Sequence, residues 1–429
     1  MIQIRYSSFA CQYQPNSIPT INTVVTINKQ TQNEPETISS TGLSPGIIFL
    51  LALATGVAVA NTYYVQPLLH ELVKTFNSGN AITSLAVTAT QIGYAFGLLL
   101  LVPLGDIISR KKLSGIITAV TVISLISSAL AKSIFMFELS AIVVGLTSVI
   151  THLLIPFAAD MANPVNRGKV VARVMSGLLT GILVSRGFSG IIAQFFGWRT
   201  VYFLASIFMA IVGILLATFL PREHRSHKPK YTDLIISTWK LFFNEPLLQR
   251  RAFIGATTFA GFSILWTSIT FLLTSKPYNY SVGIVGIFSL VGLVGIAAAN
   301  IAGRFVDKGK QKMSTWIAAV ELFVAFLILY WGTTSIIAVI AGIVILDAST
   351  QTMQITNQGI IFSISEQSRS RINSSYMFCY FMGASVGSLL SGLTYQRFGW
   401  RGICSLGIVC ALLTALGSAK QKLPQDTIL

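Results

Sequence analysis

The segment SGLLTGILVSRGFSGIIAQFFGWR at residues 176–199 returns in altered form as FCYFMGASVGSLLSGLTYQRFGWR at residues 378–401. Nine of the 24 aligned positions are identical, including the closing Phe-Gly-Trp-Arg. Tryptophan and arginine are scarce in apolar sequence, so membrane-like composition alone does not explain the match. We therefore predict that the chain is a duplication, with one copy of the segment in each half.

The chain is too apolar for a water-soluble protein. Its 429 residues are 53% hydrophobic and 10% charged, whereas soluble domains carry about 25% charged residues. Apolar runs recur near the roughly 20 residues that cross a bilayer as helix, and lipid offers the backbone no hydrogen-bond partners, so the spans must be helical. We predict twelve spans at about 46–65, 83–104, 113–131, 134–157, 171–194, 200–220, 252–275, 281–301, 315–332, 335–357, 373–394 and 401–419.

The predicted fold class is an all-α membrane protein with twelve transmembrane helices in two pseudo-symmetric six-helix bundles. The predicted domains are a flexible cytoplasmic tail at 1–44, an N-terminal bundle at 45–220, a cytoplasmic linker at 221–250, a C-terminal bundle at 251–419 and a cytoplasmic tail at 420–429. The N-terminal tail has no apolar core of a signal peptide, so we expect the first span to serve as an uncleaved insertion signal.

The formal charge of +16 reflects topology rather than a nucleic-acid partner. Most of the 30 lysines and arginines fall in loops on one side of the predicted membrane, and such an excess marks the cytoplasmic side. We therefore expect both termini in the cytoplasm, and the lipid bilayer and a small-molecule substrate as partners. We find no phosphate-binding loop motif, metal-ligand spacing or nucleophile–base cluster, so neither a cofactor nor enzymatic activity is expected.

Two loops also repeat. GDIISRKK at 105–112 and GRFVDKGKQK at 303–312 each place an aspartate just after a span and before a basic cluster. The chain resembles the major facilitator superfamily, whose loop motif is Gly-x-x-x-Asp-(Arg/Lys)-x-Gly-(Arg/Lys)-(Arg/Lys). The residues that match it are Asp106, Arg110 and Lys111 in the first copy and Gly303, Asp307 and Lys308 in the second. The resemblance implies that these residues form a cytoplasmic latch; the alternative is that the cations only anchor the loops inside.

NTYYVQPLL at 61–69 and TATQIGYAFGLLLLVPLGD at 88–106 look like the branch of bacterial permeases grouped with drug–proton antiporters. That branch implies alternating access between two bundles around a site near the bilayer midplane, a proton gradient as energy source and a location in the bacterial cytoplasmic membrane. We expect a monomer. The chain departs from the antiporter pattern in its fifth span, where Ile182 and not proline follows Gly181.

Arg186 stands inside the fifth predicted span. An arginine at the centre of a transmembrane helix costs about 2.5–3.5 kcal/mol, so its side chain either faces a hydrated cavity or extends to the outer surface. The candidate partner is Asp347 of the tenth span, which lies in the same broad layer and in the other half. A charge pair there would join the bundles, and protonation of Asp347 would release Arg186 for an anionic or polar substrate.

The tenth span carries a polar stripe. Asp347, Gln351, Gln354 and Gln358 follow spacings of four, three and four, which place them on one face of a helix. Such a face either lines a hydrated cavity or bonds to neighbouring helices. Further candidates for the substrate and proton pathway are His152, Asn61, Tyr64, Gln91, Tyr94, Tyr376 and Tyr380. Helix packing is the alternative for His152, Tyr376 and Tyr380, and an interfacial position is the alternative for Tyr64.

Small residues at spacing four in the repeated segment favour close helix packing. They are Gly177 and Gly181 in the first copy and Gly383, Gly387 and Ser391 in the second. Together these features predict a secondary transporter that exports a small organic molecule by proton-coupled alternating access. The alternatives are uptake or facilitated diffusion of a polar metabolite, and a sensor that keeps the fold without transport.

Overall fold

A computed structural model describes residues 43–163, 166–221, 230–292, 309–365 and 368–419. Within these ranges ten helices are long and apolar enough to cross a membrane. They are Pro45–Phe76, Asn80–Asp106, Arg110–Ala129, Ile134–Met161, Arg167–Phe196, Trp198–Phe219, Pro246–Thr274, Gln311–Thr333, Ile336–Ile361 and Arg369–Ala419.

Two further features relate the ten helices to the twelve spans that the sequence predicts. The last helix has 51 residues and is broken at Gly399, where φ is 60° and ψ is −155°, so it forms two spans. The shorter apolar segment Val282–Gly292 lies in the predicted span 281–301, and residues 293–301 of that span are outside the described residues. We number the spans 1 to 12 in chain order, and the predicted all-α fold class is confirmed.

The repeated Phe-Gly-Trp-Arg motif makes the same turn in both halves. Gly197 separates spans 5 and 6 with φ of 82°, and Gly399 separates spans 11 and 12 in the same left-handed region, which glycine enters without steric cost. The tryptophans that follow are buried and bonded: Trp198 Nε1 donates to Thr75 Oγ1 at 3.0 Å, and Trp400 Nε1 donates to the Leu329 carbonyl at 2.6 Å. The motif therefore recurs because each half needs the same reversal.

The small residues of the repeated segment bring helices into backbone contact. Gly177 and Gly181 lie against Ala52 and Gly56 of span 1. Gly383 and Gly387 lie against the backbone of span 7 at Ala256 and Ala260, and Ser391 Oγ donates to the Ile264 carbonyl of span 7 at 3.0 Å. Spans 5 and 11 thus pack on spans 1 and 7 in equivalent ways.

Gly181→Ala is expected to destabilise the protein by about 1–3 kcal/mol, the usual cost of overpacking. A Cβ at this position would collide with the backbone of Gly56, which cannot move without shifting span 1. The measurement is the melting temperature of the detergent-purified protein. Gly115→Ala is the control, because a Cβ there meets nothing within 4 Å; equal melting temperatures for the two variants would contradict this packing.

Among the described residues, hydrogen bonds between the two halves include one at each of three pairs of spans. Thr88 Oγ1 of span 2 and Ser388 Oγ of span 11 are hydrogen-bonded at 2.8 Å. Ser289 Oγ of span 8 donates to the Leu183 carbonyl of span 5 at 3.2 Å. Thr270 Oγ1 of span 7 donates to the Gln66 carbonyl of span 1 at 2.9 Å. The residues between these contacts therefore lie at an interface of the two halves.

Two boundaries differ from the prediction. Span 1 does not end near residue 65 but turns at 61–64 and continues as the helix Val65–Phe76. The predicted linker 221–250 contains the helix Tyr231–Asn244, and span 7 begins at Pro246. Tyr231 Oη donates to the Leu100 carbonyl at 2.9 Å and Trp239 contacts Phe378, so this helix touches both halves. Most of the N-terminal tail and the whole C-terminal tail, residues 1–42 and 420–429, lie outside the described residues.

Candidate functional site

Arg186 lies on the face of span 5 that meets the other half of the chain. Its side chain is buried, with 3% of the residue exposed. Its Nε donates a hydrogen bond of 2.6 Å to Oε1 of Gln66, which lies just after the turn in span 1. A residue buried in this way does not extend to the membrane surface, so the snorkelling alternative is wrong.

Three aromatic rings surround the Arg186 guanidinium. Its Cζ lies 4.1 Å from the ring centre of Trp266, 4.7 Å from that of Tyr63 and 5.7 Å from that of Phe262. A cation within about 6 Å of an aromatic face is attracted by the ring quadrupole, by about 2 kcal/mol or more when it is desolvated. These rings therefore offset part of the cost of burying the charge. We call Tyr63, Phe262 and Trp266 the aromatic box.

Asp347 lies at the N–H edge of the Trp266 indole. It is also buried, and its Oδ1 accepts a hydrogen bond of 3.4 Å from the indole Nε1 of Trp266. Among the described residues it forms no ion pair with Arg186. The predicted direct charge pair is thus replaced by an arrangement in which one indole contacts the cation through its face and the carboxylate through its N–H.

Several unpartnered polar atoms lie on the spans that meet at this arrangement or on the neighbouring span 2. Within the described ranges, buried side-chain atoms without a hydrogen-bond partner include Asn61 Nδ2 and Oδ1, Gln66 Nε2, Gln91 Oε1, Arg186 Nη2, Ser263 Oγ and Thr267 Oγ1. All of them belong to spans 1, 2, 5 and 7. Buried polar groups in native proteins are almost always bonded. This interface is therefore suited to receive polar groups of a ligand.

Gly292 leaves room for the Asp347 carboxylate. A Cβ built on Gly292 would collide with Asp347 Oδ2. We expect Gly292→Ala to displace the carboxylate and reduce substrate transport about tenfold or more, since a misplacement of about 1 Å can cost that much at a working site. The measurement is transport in proteoliposomes beside the melting temperature.

Gly187→Ala is the matched control for this prediction. Gly187 is the neighbour of Arg186 and lies at the same interface, but the nearest atom to its Cβ is the Gly286 carbonyl oxygen at 3.9 Å, an ordinary contact. Full activity in both variants would show that the position of the Asp347 carboxylate does not matter.

The residues of the polar stripe on span 10 lie in two different environments. Asp347 faces Trp266, whereas Gln354 Oε1 accepts a hydrogen bond from Tyr376 Oη at 3.2 Å. Gln351 and Gln358 are half-buried on the same face. Tyr380 stacks on Phe259, with ring centres 3.9 Å apart. Tyr376 and Tyr380 therefore pack within the C-terminal half, and Asp347 is the stripe residue that bonds to Trp266, the ring that also contacts Arg186.

A second buried arginine lies next to Tyr376. Arg251 of span 7 has no exposed surface, and its Nη1 donates to Thr315 Oγ1 at 3.0 Å and Asn357 Oδ1 at 3.1 Å. Asn357 Nδ2 in turn donates to Tyr376 Oη at 3.2 Å. Sequence reasoning misses this residue, because Arg251 adjoins the basic linker and resembles a loop cation.

His152 and Tyr94, two separate candidates from the sequence, contact each other. His152 Nε2 and Tyr94 Oη lie 3.1 Å apart, and the Tyr94 ring packs against Phe381 of span 11 in a tilted arrangement with ring centres 4.2 Å apart. The pair therefore connects span 4 to the contact between the halves. Gln91, one turn before Tyr94, is buried and its Oε1 has no partner.

Tyr64 belongs to a different surface from the one predicted. Its ring contacts Phe188 at 5.9 Å, and both residues line an apolar groove of about 660 Å³ between spans 1 and 5. Neither Arg186 nor Asp347 lines this groove. The neighbouring tyrosine, Tyr63, contacts Arg186 instead, because consecutive helical residues point in different directions.

The predicted latch is described only in part. Arg110 Nη1 forms a salt bridge of 2.8 Å with Asp160 at the end of span 4, and Lys111 Nζ donates to the Leu220 carbonyl at the end of span 6. These two contacts lie within the N-terminal half. Asp106 ends the short helix Pro103–Asp106. The second copy of the motif, Gly303, Asp307 and Lys308, lies outside the described residues.

Known transporters resemble this chain in sequence and in fold. A model of the Major Facilitator Superfamily matches residues 51–365. The uncharacterized transporter YgaY of Escherichia coli O157:H7 is 42% identical over 374 residues, which cover 87% of this chain and 95% of YgaY. The probable transporter SCO4007 of Streptomyces coelicolor is 28% identical over 396 residues, 91% of each chain. The inward-facing structure of a bacterial homolog of the human lysosomal transporter Spinster gives a TM-score of 0.70 at 14% identity, over 88% of this chain and 96% of that chain.

The helices, the two contacting halves and these relatives define an integral, multi-pass membrane transporter. The chain belongs to the major facilitator superfamily.

Proposed function

We propose that this transporter exports a small organic molecule in exchange for protons, by alternating access in the bacterial cytoplasmic membrane with both termini in the cytoplasm. The observation that carries the proposal is the placement of Arg186 and Asp347. Both are buried and both contact Trp266, Arg186 at the ring face and Asp347 at the indole N–H, without a direct ion pair among the described residues. Ionisable residues inside membrane spans are expensive, and they mark ion or substrate pathways.

Asp347 is the proposed coupling residue. Its carboxylate receives one long hydrogen bond, from Trp266, so it can accept a proton without breaking an ion pair. Protonation removes the negative charge that balances Arg186 across the indole. The binding preference of the site therefore changes when Asp347 gains a proton. This replaces the mechanism expected from the sequence, in which protonation would break a direct pair.

Arg186 is the proposed substrate contact. Its Nε is committed to Gln66, whereas its Nη2 has no partner among the described residues. The guanidinium is held by spans 1, 5 and 7, which belong to both halves. Movement of the halves relative to each other would change which residues surround the guanidinium. A substrate bound to Arg186 would therefore have different contacts in the inward-facing and outward-facing states of the transport cycle.

Transport in liposomes tests the proposal. A panel of small organic compounds is first screened by thermal shift on the detergent-purified protein, and each stabilising compound is then assayed for counterflow in proteoliposomes. A pH gradient is imposed next, in both directions. Proton exchange predicts accumulation of the compound when the lumen is acidic, because protons leaving the lumen drive the compound inward.

Each other result selects a different function. Accumulation when the outside is acidic would show proton-coupled uptake, and counterflow unaffected by the gradient would show facilitated diffusion. Stabilising compounds that never exchange would indicate a sensor. Any of the three would contradict proton-coupled export.

A further inference from the structure

The site between the halves holds two opposite charges that are close but not joined. Arg186 lies against the face of Trp266, and the N–H of the same indole donates to Asp347. Tyr63 is the third ionisable group in this neighbourhood, and its ring lies under the guanidinium. The net charge of the site is zero when Asp347 is ionised.

A ligand with a single charge would leave this site unbalanced. An anion would pair with Arg186 but bring a second negative charge near Asp347. A cation would pair with Asp347 but bring a second positive charge near Arg186. A buried charge without compensation is strongly disfavoured. A ligand with both charges would compensate each residue and keep the total at zero.

The neutral polar groups around the charges also offer both donors and acceptors. Gln66 Nε2 and Asn61 Nδ2 are unpartnered donors, and Asn61 Oδ1 and Gln91 Oε1 are unpartnered acceptors. A carboxylate needs donors and an ammonium group needs acceptors. The site therefore provides hydrogen-bonding groups for either end of such a ligand.

We infer that the substrate is a small zwitterion with a carboxylate and an ammonium group, of the amino-acid class, and that its apolar part contacts the aromatic box of Tyr63, Phe262 and Trp266. The carboxylate pairs with Arg186 and the ammonium group with Asp347. The inference rests on the proposed function, which it makes more specific. It also accounts for exchange, because Asp347 holds either the ammonium group or a proton.

Matched ligands test the charge requirement. Tryptophan and leucine are each compared as the free amino acid, the N-acetyl derivative and the methyl ester, which differ in charge at one end. Binding to the purified full-length protein is measured by thermal shift and calorimetry. For tryptophan, leucine or both, we expect the free amino acid to bind about tenfold or more tightly than its N-acetyl derivative or its methyl ester. The reason is that each derivative leaves one buried charge of the site unpaired.

Variants at the two charges should shift this preference in opposite directions. Arg186→Gln removes the cation, so the methyl ester should become the preferred form; Asp347→Asn removes the anion, so the N-acetyl derivative should become preferred. Arg186→Lys keeps the charge and should keep the preference for the zwitterion. Size-exclusion profiles and melting temperatures establish that each variant is folded.

The inference fails if a derivative binds the wild type as tightly as the free amino acid, or if neither variant changes the order. It also fails if none of the six compounds binds while another compound shows counterflow and responds to a pH gradient. That last result would leave proton-coupled export intact, whereas a complete lack of counterflow would remove the proposed function itself.

Discussion

Arg186→Gln is expected to reduce substrate transport by about thirtyfold or more while the protein remains folded. The substitution removes the cation from the aromatic box and leaves Asp347 buried without a compensating charge. Truncating one partner of a buried charge arrangement costs about 2–5 kcal/mol in binding. The measurement is initial counterflow rate in proteoliposomes, normalised to reconstituted protein.

Arg186→Lys separates charge from shape in this experiment. Lysine keeps the positive charge but cannot reproduce the planar guanidinium, which stacks on Trp266 and bonds to Gln66 at once. We expect intermediate transport for this variant. Wild-type rates in Arg186→Gln would show that Arg186 only helps the halves to pack.

Asp347→Asn is expected to abolish accumulation driven by a pH gradient. Asparagine has nearly the same shape and can still accept the Trp266 N–H, but it cannot bind and release a proton. Downhill exchange should survive at a reduced rate, because the path between the halves is intact. The measurement compares accumulation under an acidic lumen with counterflow at equal pH.

Gln351→Asn is the matched control for this second prediction. Gln351 lies one turn from Asp347 on the same half-buried face, so the change alters the stripe without altering its charge. Accumulation should persist in this variant. Accumulation in Asp347→Asn at the level of the control would mean that another group couples transport to protons.

The duplication made most of the fold predictable. The Phe-Gly-Trp-Arg motif occurs at the two points where the chain reverses, and the spacing of small residues identified the helices that pack closely. Periodicity and hydropathy depend on neighbours along the chain, so they determine helices well. They also indicated that Arg186 avoids lipid, either in a hydrated cavity or by extending to the outer surface.

The contacts within the site could not be predicted in the same way. Trp266 is one aromatic residue in an apolar run, and nothing nearby in the sequence shows that it contacts both Arg186 and Asp347. Gly292 matters only because Asp347 lies against it. Arg251 is close to Thr315 and Asn357 only in the folded chain. Each of these contacts depends on tertiary packing between distant helices.

The repeated segment is also informative where its copies differ. In the alignment of the two copies, Arg186 corresponds to Ser388. Ser388 bonds to Thr88 across the halves at 2.8 Å, so both positions face the opposite half. The fold needs only a residue that fits this interface, and serine does so in one copy. We therefore attribute the charge in the other copy to the proposed function of the site rather than to the fold.

The most direct test of the account is proton movement during transport. Proteoliposomes are loaded with a pH-sensitive dye at equal internal and external pH, and compounds that show counterflow are added outside. We predict that inward movement of such a compound releases protons from the lumen in the wild type, and that Asp347→Asn gives no proton signal with the same compound. A wild-type protein that exchanges the compound without moving protons, or an Asp347→Asn variant with an undiminished proton signal, would contradict the proposed role of this site.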